Sequence, residues 1–162
     1  MPAPHRPAPR ARQRRGLTLI EIMVAVAVLG VLAALTLPSF IDSIRKGRRS
    51  EAVAALAQVQ QSQERWRANR SAYTANLSDL PVGLDAENRT ASGYYVISLE
   101  DDADGNRYTA TATAVSGTSQ ANDTHCTVMR VRLVGGNLQY GGCAGCSVPE
   151  AALTDPNRCW TR

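Results

Sequence analysis

Glu21 is the residue that most constrains this chain. It is the one charged side chain in the run LTLIEIMVAVAVLGVLAALTL, from Leu17 to Leu37. A run of this length and apolarity is long enough to cross a bilayer as a helix. A carboxylate inside hydrocarbon is costly, so by default it marks a functional site with a partner. Just upstream stand Arg14, Arg15 and Gly16. Proteolysis after Gly16 would create a free amine at Leu17, one helical turn from that carboxylate. The two groups can neutralise each other, between neighbouring subunits if not within one. That arrangement predicts a polymer.

The rest of the chain is consistent with export. Its 162 residues suffice for one compact domain plus an appendage. The net charge of +4 suggests a nucleic-acid protein only until its distribution is read. Arg6, Arg10, Arg12, Arg14 and Arg15 lie in residues 1–16, which hold no acid; without them 13 basic side chains face 14 acidic ones. The Pro- and Arg-rich leader cannot bury apolar area and is expected to be disordered. Its arginines beside the apolar run predict a cytoplasmic N-terminus and an outward C-terminus. An uncleaved signal anchor, or a secretory signal cut near Ala33-Ala34, is the competing reading. Four cysteines, all beyond residue 125, fit an oxidising compartment.

Beyond Pro38 the helical period continues. Ala52, Leu56, Val59, Gln63 and Trp66 step by four and three, which places them on one face. Arg45, Arg48, Arg49, Glu51, Glu64 and Arg65 largely occupy the rest. One helix from about Leu17 to about Arg70 is predicted, apolar all round and then amphipathic. Gly30 weakens it and Pro38 removes a backbone donor, so the two bracket a segment able to lose helical pairing. Glycine and proline are also simply common in membrane helices. A polar connection fills Ser71 to Gly93. Strands are then predicted over Tyr94–Leu99, Arg107–Ala114, Cys126–Val134 and Leu138–Tyr140, with hairpin signals at Asp104-Gly105 and Gly135-Gly136-Asn137. The fold class is α+β, a long N-terminal helix on a small antiparallel sheet of about four strands.

The residues RRG/LTLIEIMVAV resemble the class III signal sequence of type IV prepilins. They combine a basic leader, a glycine boundary and a glutamate fifth in the mature chain; Leu17 stands where that family usually has phenylalanine. The resemblance is strong over residues 10–70. It implies the type IV pilin fold, cleavage between Gly16 and Leu17 by a prepilin peptidase, N-methylation of Leu17, and assembly roles for Glu21, Gly30 and Pro38. The segments are then the leader 1–16, an assembly half 17–41, an amphipathic half 42–70 and a head 71–162. The stretch RRSEAVAALAQVQQSQERWR with Tyr73 and Thr74 is most similar to the PilE-type minor pilins. The implied function is a structural subunit of a type IV pilus that primes assembly and supports adhesion, twitching and DNA uptake. Its expected partners are other pilin subunits, the peptidase, the inner-membrane assembly machinery and the bilayer before assembly. A type II secretion pseudopilin and a signal-anchored periplasmic binding module are the alternatives.

Cys126, Cys143, Cys146 and Cys159 permit three pairings. Local pairing of Cys143 with Cys146 leaves Cys126 for Cys159, and the longer bridge would contribute about 3–4 kcal/mol in the chain-entropy picture. In pilins a similar C-terminal loop is held to the sheet by a disulfide, and Cys159-Trp160 looks like that pattern. A zinc cage and a redox C-x-x-C are the other readings, but a second C-x-x-C and a βαβ context are missing. Asp101, Asp102 and Asp104 echo part of a calcium loop without its distal glutamate, so a solvated turn is expected. Arg45, Lys46, Arg48 and Arg49 form a basic cluster suited to anionic headgroups or to neighbouring subunits. A DNA stripe there has weak support. His5 and His125 stand isolated, no catalytic constellation is visible, and no cofactor or metal is expected.

Overall fold

The computed structural model describes residues 16–146 and 153–160, without the side chains of residues 37–39. The leader proposed over 1–16 thus lies outside the described residues except for Gly16. One α-helix, α1, runs Leu19–Arg67, two or three residues shorter at each end than its sequence pattern suggests. Thr18 explains its start, because its hydroxyl accepts the backbone N–H of Glu21 at 3.2 Å. A threonine with a glutamate three residues on is the signature of a capping box, and an acid in the first turn suits the helix dipole. The helix is continuous through Gly30 and Pro38.

The chain divides at Ser39–Phe40 into two compact units. In the first, the helix is exposed along its described length, with Leu19 at 78% and Leu29 at 64%. Among the described residues of that unit nothing covers its apolar side chains, which makes it a segment built for surroundings other than water.

The second unit holds the head. Four strands, β1 (Tyr95–Leu99), β2 (Arg107–Ala114), β3 (Val128–Val134) and β4 (Asn137–Cys143), form an antiparallel meander in the order β1-β2-β3-β4. The β3–β4 turn is as tight as its two glycines allow: Gly135 and Gly136 take φ of 56° and 81°, where side chains are strained. Register pairs Ile97 with Ala112 and Ala112 with Met129, setting one apolar row across the sheet, with Ala110 opposite Val131 in the row beside it. Ala52, Leu56 and Val59 of α1 join that row in a single core. The alanines at the centre of β2 leave room for the helix.

Two features of this core go beyond its apolar pattern. Gln63, on the apolar face, is fully buried, yet its amide donates to the Thr74 carbonyl at 2.7 Å and accepts from the Thr74 N–H at 3.1 Å. A buried amide satisfied in this way fixes the start of the connection after α1. That connection carries a 3-10 turn, Leu77–Asp79, which buries Leu77.

The strands also shift. β3 begins at Val128 rather than Cys126, and β4 extends to Cys143 through Gly141 and Gly142, two residues that sequence preference would exclude from a strand. Both outer edges of the sheet are partly occupied. Beside β1, Ile97 N–H donates to Asn88 at 2.8 Å and the Tyr95 carbonyl accepts from Thr90 at 2.9 Å. Beside β4, Gly142 N–H donates to Thr154 at 3.0 Å and the Gly141 carbonyl accepts from the Trp160 indole at 2.7 Å.

Candidate functional site

The N-terminal segment is the first candidate. Gly16 has open space around its Cα, and Leu17 is 72% exposed, so the bond between them is accessible. Glu21 is exposed in the first turn of α1 and its carboxylate has no partner among the described residues. Gly30 likewise has open space where a side chain would stand. Pro38's side chain lies outside the described residues.

The basic cluster is distributed differently from its sequence reading. Arg49, expected on the solvated face, is buried. Its Nε and Nη2 donate to the two carboxylate oxygens of Asp123, each at 2.7 Å. Asp123 is itself 2% exposed and also accepts from Gln120 Nε2 at 2.9 Å and from the backbone N–H of His125 and Cys126 at 3.0 and 3.2 Å. Burial would raise the Asp123 carboxyl, but the Arg49 and backbone donors outweigh it and hold the group below the usual carboxylate value. Gln120 also donates to the Tyr95 hydroxyl at 2.9 Å. Burial is the main reason that phenol is pushed up to about 12, which keeps it neutral. This network ties α1 to the loop between β2 and β3. Arg48 is likewise engaged, by a hydrogen bond to Ser119 Oγ and by lying 3.9 Å over the Tyr94 ring. Arg45 pairs with Asp42 at 3.2 Å.

At the C-terminal end, Cys126 is bonded to Cys159 with their Cα atoms 5.6 Å apart, and Cys143 is paired with Cys146. Asp155 organises the approach: its carboxylate accepts from the N–H groups of Cys159 at 2.6 Å and Trp160 at 3.0 Å. Trp160 then packs on Tyr140, ring centres 4.8 Å apart. Gly142 is where these elements meet. A Cβ there would lie 2.5 Å from Cys159 Cβ and 2.7 Å from its Sγ, closer than atoms can approach. This accounts for glycine inside β4. Gly142→Ala is expected to cost about 1–3 kcal/mol by overpacking and to lower the yield of the Cys126–Cys159 bridge. Non-reducing peptide mapping and the melting temperature check both effects; an unchanged pair of values would dismiss the close approach.

The aspartates after β1 make a turn held by its own contacts. Asp104 accepts from the Asn106 N–H at 2.7 Å and pairs with Arg107 at 2.9 Å, while Asp102 accepts from the Thr109 hydroxyl at 2.7 Å. Among the described residues, no three His, Cys, Asp or Glu side chains are placed to hold a metal ion.

An exposed apolar helix that continues into the core helix of a four-strand meander, with a cysteine pair in the C-terminal region, is the type IV pilin fold. The chain matches the prokaryotic N-terminal methylation motif over residues 11–37. Over residues 38–130 it matches the family described as "Type IV minor pilin ComP, DNA uptake sequence receptor". The chain therefore belongs to the type IV minor pilin family. It is 30% identical over 92 residues to the type IV major pilin protein PilA of Myxococcus xanthus, covering 57% of this chain and 41% of that one. Identity is 30% over 103 residues to the fimbrial protein EcpC of Eikenella corrodens, 64% of each chain. It is 34% over 62 residues to the type II secretion system core protein G of Dickeya chrysanthemi, 38% of this chain and 40% of that one. The chain thus spans less than two thirds of the length of these relatives.

Proposed function

We infer that this chain is a minor pilin, a structural subunit anchored in the membrane by its apolar helix and incorporated into a type IV pilus with other pilin subunits. The observation that carries this reading is the junction of two matches: the methylation motif ends at residue 37 and the minor-pilin family begins at residue 38. A prepilin peptidase would cut between Gly16 and Leu17 and methylate the new N-terminus. Inner-membrane assembly machinery would then add the subunit to the fibre. Glu21 would pair with a neighbour's Leu17 amine, and the stretch from Gly30 to Pro38 would loosen on packing. A role in DNA uptake follows from the description of the family. The similarity to core protein G keeps a secretion pseudopilus as the second reading, against which the bridged C-terminal region argues.

Mass spectrometry of sheared surface fibres tests the assignment: the mature chain beginning at Leu17 is expected there, and its absence from fibres would end the pilus reading. Gly16→Val is expected to leave the leader on the membrane-bound protein, because a branched side chain cannot enter a site that accepts only a small residue. Trimming of that variant at the same bond would rule out the peptidase assignment. DNA binding is tested separately with a labelled duplex and the full chain. A failure there removes the uptake role and leaves the subunit role standing.

A further inference from the structure

A cleft of about 570 Å³ opens in the head between α1 and the bridged C-terminal segment. Lys46, Arg49 and Asp42 line it from α1, and His125, Asn157 and Arg158 line it from the loops. Two of these charges are already matched from outside the cleft, Arg49 by Asp123 at 2.7 Å and Asp42 by Arg45 at 3.2 Å. Lys46 and Arg158 are exposed and have no ion-pair partner among the described residues. His125 and Asn157, whose amide already donates to the His125 carbonyl at 3.0 Å, complete the wall.

Arg158 is also held in an unusual backbone conformation, φ 52°, which a residue with a side chain rarely adopts. Asp155 and the Cys126–Cys159 bridge keep it there. Strain kept at a charged, unpartnered residue in a cleft points to a use for its side chain. Just before the cleft on the same helix, Phe40, Ile41 and Ile44 are exposed, Phe40 at 64%. Apolar side chains standing beside unpaired cations are the signature of a surface that lies at the bilayer boundary. A single-stranded nucleic acid would instead need aromatic platforms along a basic track, and a duplex an extended run of cations, where this cleft presents Lys46 and Arg158.

We propose that this cleft binds the phosphate of an anionic phospholipid headgroup, with Lys46 and Arg158 as the charge partners. The site goes beyond the pilin reading, since it acts on the subunit while it resides in the membrane and is independent of processing or of DNA. It also reassigns the lipid contact. Of the four clustered basic residues on α1, three are engaged within the head, and the free cation among them, Lys46, is joined by Arg158 from the far end of the chain.

The test uses the full chain in neutral detergent, titrated with short-chain phosphatidylglycerol and counted by native mass spectrometry. Phosphatidylglycerol is expected to bind more tightly than phosphatidylcholine. Its affinity should fall about thirtyfold in Lys46→Gln/Arg158→Gly, the loss of two cation–phosphate contacts. Glycine suits φ 52°, so the double variant should melt no lower than the wild type, which separates lost binding from lost fold. Arg107→Gln, at the β1–β2 turn, should bind as the wild type does. Equal affinity in the double variant would overturn the site. Glycerol phosphate binding as tightly as the lipid would overturn the membrane assignment in favour of a free phosphate. A DNA duplex whose binding depends on Lys46 and Arg158, when phosphatidylglycerol binding does not, would overturn it in favour of nucleic acid.

Discussion

Glu21→Ala is expected to leave the subunit in the membrane and nearly absent from the fibre. The acid has no partner among the described residues and lies in the first turn of an exposed apolar helix. Alanine removes the costly group, so insertion should be unchanged or improved. The head should fold as before, because every residue of its core lies beyond Phe40. What disappears is the acceptor that we propose for a neighbour's N-terminal amine. An amine packed among apolar helices without its counter-charge costs about 3–5 kcal/mol, enough to reduce incorporation by two orders of magnitude or more. The measurement is the ratio of the protein in sheared fibres to that in the membrane, for wild type and variant. Equal ratios would make Glu21 an ordinary capping acid, the role that its position after Thr18 already allows.

The second large effect belongs to Asp123. It is the common acceptor for the Arg49 guanidinium, the Gln120 amide and two backbone N–H groups, all in a buried site. Asp123→Ala strands a buried guanidinium, and removing one partner of such a pair costs about 3–5 kcal/mol. Against a total stability of about 5–15 kcal/mol, the head should lose much of its margin. Arg49→Met/Asp123→Ala removes both charges and should recover part of the loss, which a double-mutant cycle by thermal unfolding would resolve. Acid provides an independent check. The folded Asp123 carboxyl lies below its unfolded value of 3.8, so its contribution is fully present above that value. It is lost as pH falls through the folded value, because the unfolded chain then takes up the proton more readily. The wild type should therefore weaken below about pH 4 more steeply than Asp123→Asn. Parallel profiles would show that the carboxylate is not what holds the loop.

Much of this architecture was legible because it rests on local periodicity. The apolar run, the amphipathic face from Ala52 to Val59 and the two glycine-marked hairpins each follow from neighbours in sequence. What was not legible depends on residues far apart. Arg49 reads as a solvated charge because its partner, Asp123, sits in a loop on the other side of β1 and β2. Gly141 and Gly142 read as the end of a strand because the partners that hold them there, Trp160 against Gly141 and Cys159 against Gly142, arrive from the far end of the chain. His125 reads as isolated because Lys46 and Arg158, which line the same cleft, are gathered there only by the fold. The Thr18 cap, by contrast, was open to a sequence reading, since threonine followed three residues later by glutamate is a local signal.

The treatment of the sheet's margins bears on life in a crowded polymer. A four-strand meander has two open margins, each a row of backbone donors and acceptors that would accept a strand from any neighbouring copy. In this head the stretch Asn88–Thr90 occupies part of one margin, and Thr154 with the Trp160 indole occupies part of the other. Subunits packed side by side at very high local concentration would otherwise zip together through their sheets in arbitrary registers. With these positions taken, lateral fusion of heads is discouraged, and in the fibre we propose the geometry of stacking would fall to the helices, whose register a single carboxylate would set.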